Sequence, residues 1–269
     1  MAELTAPDLN GVAETLLIPL YVRAIESQRP DALIHDPRAV ELVKRIHYDF
    51  KQVRMQSHDE VAVLLRLRKF DQLAGEFLQR NPQGVVVHIG CGLDTRFERV
   101  DNGRVEWYDM DLPEVITLRQ KLIGSAENER CSTLAGSVFE FDWMKRVGDV
   151  QRPFLFLAEG VLTYFEEDQV KALVLAIREH FPQAELACDA MTPFAVRMNN
   201  LQLSFSRIKA RLHWGLKQGK YSEGWAPGIV LLDEWFFFDD PEPRMAPFHW
   251  MSRIPLFARS AGIFHYRLG

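Results

Sequence analysis

The chain has 269 residues, 47% of them hydrophobic and 26% charged, which is ordinary for a globular protein large enough to bury a sizeable core. A formal charge of −5 with dispersed basic residues leaves no electrostatic footprint for nucleic acid. Cys91, Cys131 and Cys188 are far apart and form no CxxC, which argues against a disulfide framework and for a reducing compartment.

The opening Met1-Ala2-Glu3-Leu4 lacks the basic start of a secretory signal. The first apolar segment, from Leu16 to Val22, is short and interrupted by Pro19. Nowhere does an uninterrupted apolar run reach the roughly eighteen residues of a membrane span, so a cytoplasmic protein is expected. Residues 1 to about 80 read as helical. Apolar positions recur at helical spacing from Ala39 to Ile46 and again from Val61 through Leu65, Phe70 and Leu73 to Leu78. Asp36-Pro37 reads as a helix start, with aspartate as cap and proline in the first turn. Asn81-Pro82-Gln83-Gly84 then breaks the helix.

Strands and helices alternate from residue 85 onwards. Strands are expected at 85–89, 105–111, 131–137, 153–158 and 184–189, with helices from about 113 to 123, 166 to 180 and 192 to 212. Two last strands, 230–238 and 262–268, flank a proline-broken loop and suit a hairpin-like antiparallel edge. The pattern implies one domain: a helical cap over 1–80 and a Rossmann-like core over 85–269, doubly wound and mostly parallel, with ligands at the carboxyl ends of its strands.

Chemistry concentrates at two of those ends. Val85-Val86-Val87-His88-Ile89 runs into Gly90-Cys91-Gly92, a turn where the backbone must take unusual torsions or approach something closely. Nineteen residues after Gly92, the next strand ends in Asp111, an acid placed to grip ribose hydroxyls. A dinucleotide site wants a third glycine or alanine where this chain has Thr95, and Asp94 beside it would repel a pyrophosphate. S-adenosylmethionine carries no phosphate and tolerates that acid. A tight turn with no ligand and a nicotinamide oxidoreductase remain open on these residues alone.

Ile89 to Arg96 resembles the GxGxDTR signature of the leucine carboxyl methyltransferase family, and particularly of its bacterial tetracenomycin-type polyketide O-methyltransferase branch. Trp107 to Pro113 is similar to the family's acidic second-strand motif, and Ala158-Glu159-Gly160-Val161-Leu162-Thr163-Tyr164 to its EG(V/L)LxY motif. Leu33 to Pro37, Arg66 to Asp71 and the closing Phe264 to Gly269 resemble further family elements, so the likeness spans nearly the whole chain. The resemblance implies a class I methyltransferase fold of about seven strands that binds S-adenosylmethionine and releases S-adenosylhomocysteine, with no metal expected. It implies that Arg66 pairs with the methionine carboxylate, that Gly90 and Gly92 bring backbone to the ligand, and that Asp111, with Leu112, holds the ribose. Glu159, with Gly160, would lie near the methionine amino group. Ser137 and Val138 stand where the family often has an adenine-binding acid, with Asp142 as a substitute.

No Ser-His-Asp or metal-ligand arrangement is visible, and His88, inside a strand, reads as a core residue. Tyr21, Arg23, Arg96 and Tyr164 are the candidates for orienting the acceptor. Aromatic residues between Phe205 and Trp250 suit core packing, or else a pocket for a flat acceptor. The expected function is O-methylation of a carboxyl or hydroxyl group on a small, aromatic, polyketide-like molecule, without nucleic acid or membrane as partner. Methylation of a protein C-terminus and non-catalytic binding of S-adenosylmethionine are the alternatives.

Overall fold

The computed structural model describes residues 4–5, 13–53, 57–124, 129–148, 151–204 and 211–269. Seven strands form one sheet: β1 (Val85–Ile89), β2 (Glu106–Asp111), β3 (Cys131–Ala135), β4 (Phe154–Ala158), β5 (Ala184–Met191), β6 (Ile229–Phe236) and β7 (Ala261–Leu268). Their order across the sheet is β3-β2-β1-β4-β5-β7-β6. Every residue of β1 and β4 is buried, as expected of short apolar runs covered on both faces. The first five strands are parallel, and β7 alone runs against its neighbours. The last two strands pair antiparallel with each other and form that edge of the sheet, as expected, with β7 against β5 and β6 outermost. Alternation in 262–268 specifies a strand but not which member of the pair lies outermost.

The order reverses between β1 and β4, which makes their carboxyl ends a topological switch point. Ile89 pairs with Met110 and Ala158, and Ala158 with Cys188, so these four residues stand level across the sheet. The residues that follow them form one row at its carboxyl end: Asp111, Gly90, Glu159, Asp189. At ordinary strand spacing that row is roughly 14 Å long.

Two helical layers cover the sheet. On one face α6 (Glu167–His180) buries Val170, Leu173, Val174 and Ile177 in a core with Val85, Val87, Phe154, Phe156 and Tyr266. On the other, α3 (Ser57–Arg80) buries Phe70, Leu73, Ala74, Phe77 and Leu78 against Val86, Trp107, Leu155 and Leu157. The expected cap of residues 1–80 thus divides, because α3 is a layer of the core. Only α1 (Ala13–Glu26), which continues through Pro19, and α2 (Pro37–Arg45) stand over the strand ends. Leu17, Leu20 and Leu42 of this pair pack on Leu93 of the glycine turn and on Leu118 and Leu122 of α5 (Pro113–Ile123). Asp36 caps α2 as expected, its side chain accepting from the Ala39 N–H at 2.9 Å.

After the glycine turn comes α4 (Arg96–Val100), only one turn long, and after β5 comes α7 (Pro193–Ser204). The expected continuation of that last helix through 205–210, including Phe205, lies outside the described residues. Among the described residues no helix is long and apolar enough to cross a membrane.

Candidate functional site

Gly90 and Gly92 have φ of +65° and +50°, torsions that glycine adopts without strain. Their missing side chains make room for protein neighbours: a Cβ on Gly90 would lie 2.1 Å from Val161 Cγ2, and one on Gly92 2.9 Å from Leu16 Cδ2. The turn is thus squeezed between the β4 loop and α1, and this places its backbone at the head of the row. Asp111 is held from two sides. Its Oδ2 accepts the Gly92 N–H and its Oδ1 the Leu112 N–H, both at 2.8 Å. Burial pushes its pKa up despite these bonds. Each oxygen retains acceptor capacity, which suits a vicinal diol.

At the far end of the row three charged groups meet. Arg66, from α3, donates Nε–H to Glu159 Oε1 at 3.0 Å and Nη1–H to Asp189 Oδ2 at 3.2 Å. Burial opposes the guanidinium charge, but Asp189 and Glu159 outweigh it and the pKa is raised. Nη2 has no protein partner among the described residues. Asp189 also accepts the Gly160 N–H at 2.7 Å, and Gly160, at φ +66°, lies against the guanidinium. Asp189, the last residue of the strand expected at 184–189, has no role in the sequence analysis. Strand register, invisible in the sequence, puts it beside Glu159.

The D-T-R of the signature has a different place from the one expected. Arg96 is 0% exposed, donates to Asp71 and to Glu159, each at 2.6 Å, and forms an ion pair with Asp94 at 3.1 Å. Arg99 bonds Asp71 at 2.7 Å and both Asp36 and Asp94 at 3.0 Å. Arg23, 1% exposed, bonds Asp36 and the Leu93 carbonyl, each at 2.8 Å. Thr95 Oγ1 donates to Asp36 at 2.6 Å instead of capping α4. Although burial opposes its charge, Asp94 is held well below the usual carboxylate range by Arg96, Arg99 and Arg23. Arg23 and Arg96 are therefore not acceptor contacts, since both are sealed inside this network. Arg96 instead fixes the Glu159 oxygen that Arg66 leaves free.

The remaining expected residues scatter. Ser137 and Val138 follow β3 beside Asp111, whose carbonyl accepts the Gly136 N–H at 3.0 Å. Ser137 Oγ accepts from Phe139 N at 3.3 Å, and the buried Val138 offers its carbonyl to Trp143 Nε1 at 3.0 Å. Asp142 is no substitute, because its side chain is 89% exposed and paired with Lys145. Leu112 is exposed beside Asp111. Tyr164 is 39% exposed next to Arg66, its phenol pKa raised by burial in spite of that charge. Tyr21 stacks on Phe50, with ring centroids 5.0 Å apart. His88 Nε2 lies 3.3 Å from Arg96 Nη1, which can only donate, so Nε2 accepts and the ring proton sits on Nδ1, 3.6 Å from Asp109. This is a core histidine. Trp214 and Phe236 are buried in the core, Trp214 beside a small apolar cavity that it shares with Trp225 and Tyr266.

The row offers a diol acceptor at one end, a carboxylate pair and a free guanidinium nitrogen at the other, and a tight turn between them. That order fits a nucleoside joined to an amino acid. Comparison with known proteins gives a consistent lineage. The model of the leucine carboxyl methyltransferase family matches residues 17–178. A tetracenomycin polyketide synthesis O-methyltransferase of Streptomyces glaucescens is 35% identical over 87% of this chain and 86% of its own length. An S-adenosyl-L-methionine-dependent methyltransferase of Gibberella zeae is 27% identical over 91% and 88%. Among solved structures, a DUF574 family protein of Streptomyces avermitilis superposes with a TM-score of 0.61 over 97% of this chain and 99% of its own, at 14% identity. An O-methyltransferase family protein of Burkholderia thailandensis gives 0.50 over 94% and 70%, at 12% identity. These two likenesses concern the fold. The chain belongs to the leucine carboxyl methyltransferase family.

Proposed function

We propose that the protein is an S-adenosylmethionine-dependent O-methyltransferase acting on a carboxyl or hydroxyl group of a small, flat, polyketide-like molecule. The observation that carries this reading is the row Asp111, Gly90, Glu159, Asp189 at the switch point, with Arg66 across its end. Bound there, the donor supplies an electrophilic methyl group on a sulfonium. Asp111 accepts the two ribose hydroxyls, Glu159 accepts from the ammonium group, and Arg66 Nη2 donates to the carboxylate. The surrounding carboxylates favour a cationic ligand over a phosphate-bearing one. Gly90 and Gly92 set the turn that separates the two ends. Tyr164, half-exposed beyond Arg66, is the residue placed to meet an acceptor.

Methyl transfer is an in-line displacement in which positioning lowers much of the barrier. A carboxylate acceptor needs no base from the protein, and His88, two residues before Gly90, is spent in the core. The tetracenomycin relative's name supports a polyketide-like acceptor. The test is transfer of a radiolabelled methyl group from S-adenosylmethionine to polycyclic phenols, to their carboxylic acids and to a peptide ending in leucine. Label on a polycyclic acceptor with an inert peptide is the expected result. Label on the peptide alone would assign the protein to C-terminal methylation, and donor binding without transfer to any acceptor class would count against an enzyme.

A further inference from the structure

Arg66 is a long, flexible side chain, and a guanidinium recognises a carboxylate only when its plane is held. Glu159 touches it at Nε alone, and shares its other oxygen with Arg96. The second hold is Asp189, 8% exposed at the end of β5, with Oδ2 on Arg66 Nη1 at 3.2 Å and Oδ1 on the Gly160 N–H at 2.7 Å. With Nε and Nη1 both engaged, Nη2 is the nitrogen left over. Gly160 backs the guanidinium from the other side, where an added Cβ would stand 3.5 Å from Nη2. One buried carboxylate thus ties the β4 loop, β5 and the α3 arginine into a single arrangement.

We propose that Asp189 is a positioning residue: it orients Arg66 so that Nη2 faces the carboxylate of the donor's amino-acid arm. This rests on the reading of Arg66 as the carboxylate partner. An asparagine at 189 would keep an acceptor for Gly160 but turn an N–H donor or a weaker acceptor toward Nη1, and the arginine would lose its second anchor. The consequence is confined to ligands that carry the amino-acid arm. Adenosine-end contacts at Asp111, three strands away, are untouched.

The experiment is calorimetric titration of Asp189→Asn, Arg66→Gln and the double variant with two probes. S-adenosylhomocysteine has the amino-acid arm, and 5′-methylthioadenosine lacks it. Asp189→Asn is expected to weaken S-adenosylhomocysteine about tenfold, the scale of one hydrogen bond to a charged group, and to leave methylthioadenosine within about twofold. In the Arg66→Gln background the same substitution should add nothing. Equal loss for both probes, or unchanged S-adenosylhomocysteine affinity in Asp189→Asn while Arg66→Gln weakens it, would overturn the positioning role. If Arg66→Gln itself leaves the ratio of the two affinities unchanged, the carboxylate assignment fails and takes this inference with it. Should Asp189→Asn not fold, Asp189→Ser keeps an acceptor for Gly160 without the charge and reads out the same ratio.

Discussion

Asp94 and Thr95 first stand out as departures from a dinucleotide turn, and the structure shows what they do instead. Both belong to a buried network in which Arg23, Arg96 and Arg99 meet Asp36, Asp71, Asp94 and Glu159. Asp111 is the residue on which the proposed nucleoside reading rests. Asp111→Ala should weaken S-adenosylhomocysteine by about 1–3 kcal/mol, the cost of leaving buried polar groups unpaired, as read by titration of the folded variant. Unchanged affinity would remove the acid from the site. Asp111 and Glu159 were legible in the sequence because each directly follows an apolar strand. The places of Arg23 and Arg96 were not. Their hydrogen-bond partners lie up to 70 residues away in the chain, and only the folded register shows that no open space is left beside them.

At the level of elements, the cap is fastened to the turn it covers. Asp36 caps α2 while accepting from Arg23, Arg99 and Thr95, so α1, α2 and α4 share one carboxylate. Breaking such a buried group leaves uncompensated charge. Asp36→Asn is therefore expected to destabilise the protein by about 3–5 kcal/mol in a denaturant titration, whereas Glu41→Gln, at an exposed pair with Arg38, should change little. A loss below about 1 kcal/mol would mean that the cap is not clamped there. The helix start at Asp36-Pro37 was readable from capping chemistry, and the five parallel strands from their apolar runs. The antiparallel edge was readable too, but not that β6 is its outermost strand, nor that α3 belongs to the core, since periodicity says that a face is buried but not against what.

Across the whole molecule, the two faces of the sheet are held differently. The α6 face is an apolar core, while on the α3 face Glu185 of β5 joins Arg80 of α3 at 2.8 Å and His265 of β7 at 2.7 Å. Burial raises the Glu185 pKa, but His265 and Arg80 win and lower it from 4.5 to about 2. A depressed folded pKa contributes stability above the unfolded value, lost as pH falls through the folded one. Glu185→Gln should accordingly lower thermal stability at neutral pH and flatten the decline of stability between pH 4.5 and about 2. An unaltered profile would show that Glu185 is not linked to acid unfolding.

The same architecture brings the ends of four strands together at the switch point, and the central claim is that this row binds a phosphate-free nucleoside with an amino-acid arm. Calorimetric titration of the full chain with S-adenosylmethionine, S-adenosylhomocysteine and NAD tests it most directly. Saturable binding of both adenosyl ligands with none for NAD is the predicted result, and binding of NAD without either adenosyl ligand would contradict it.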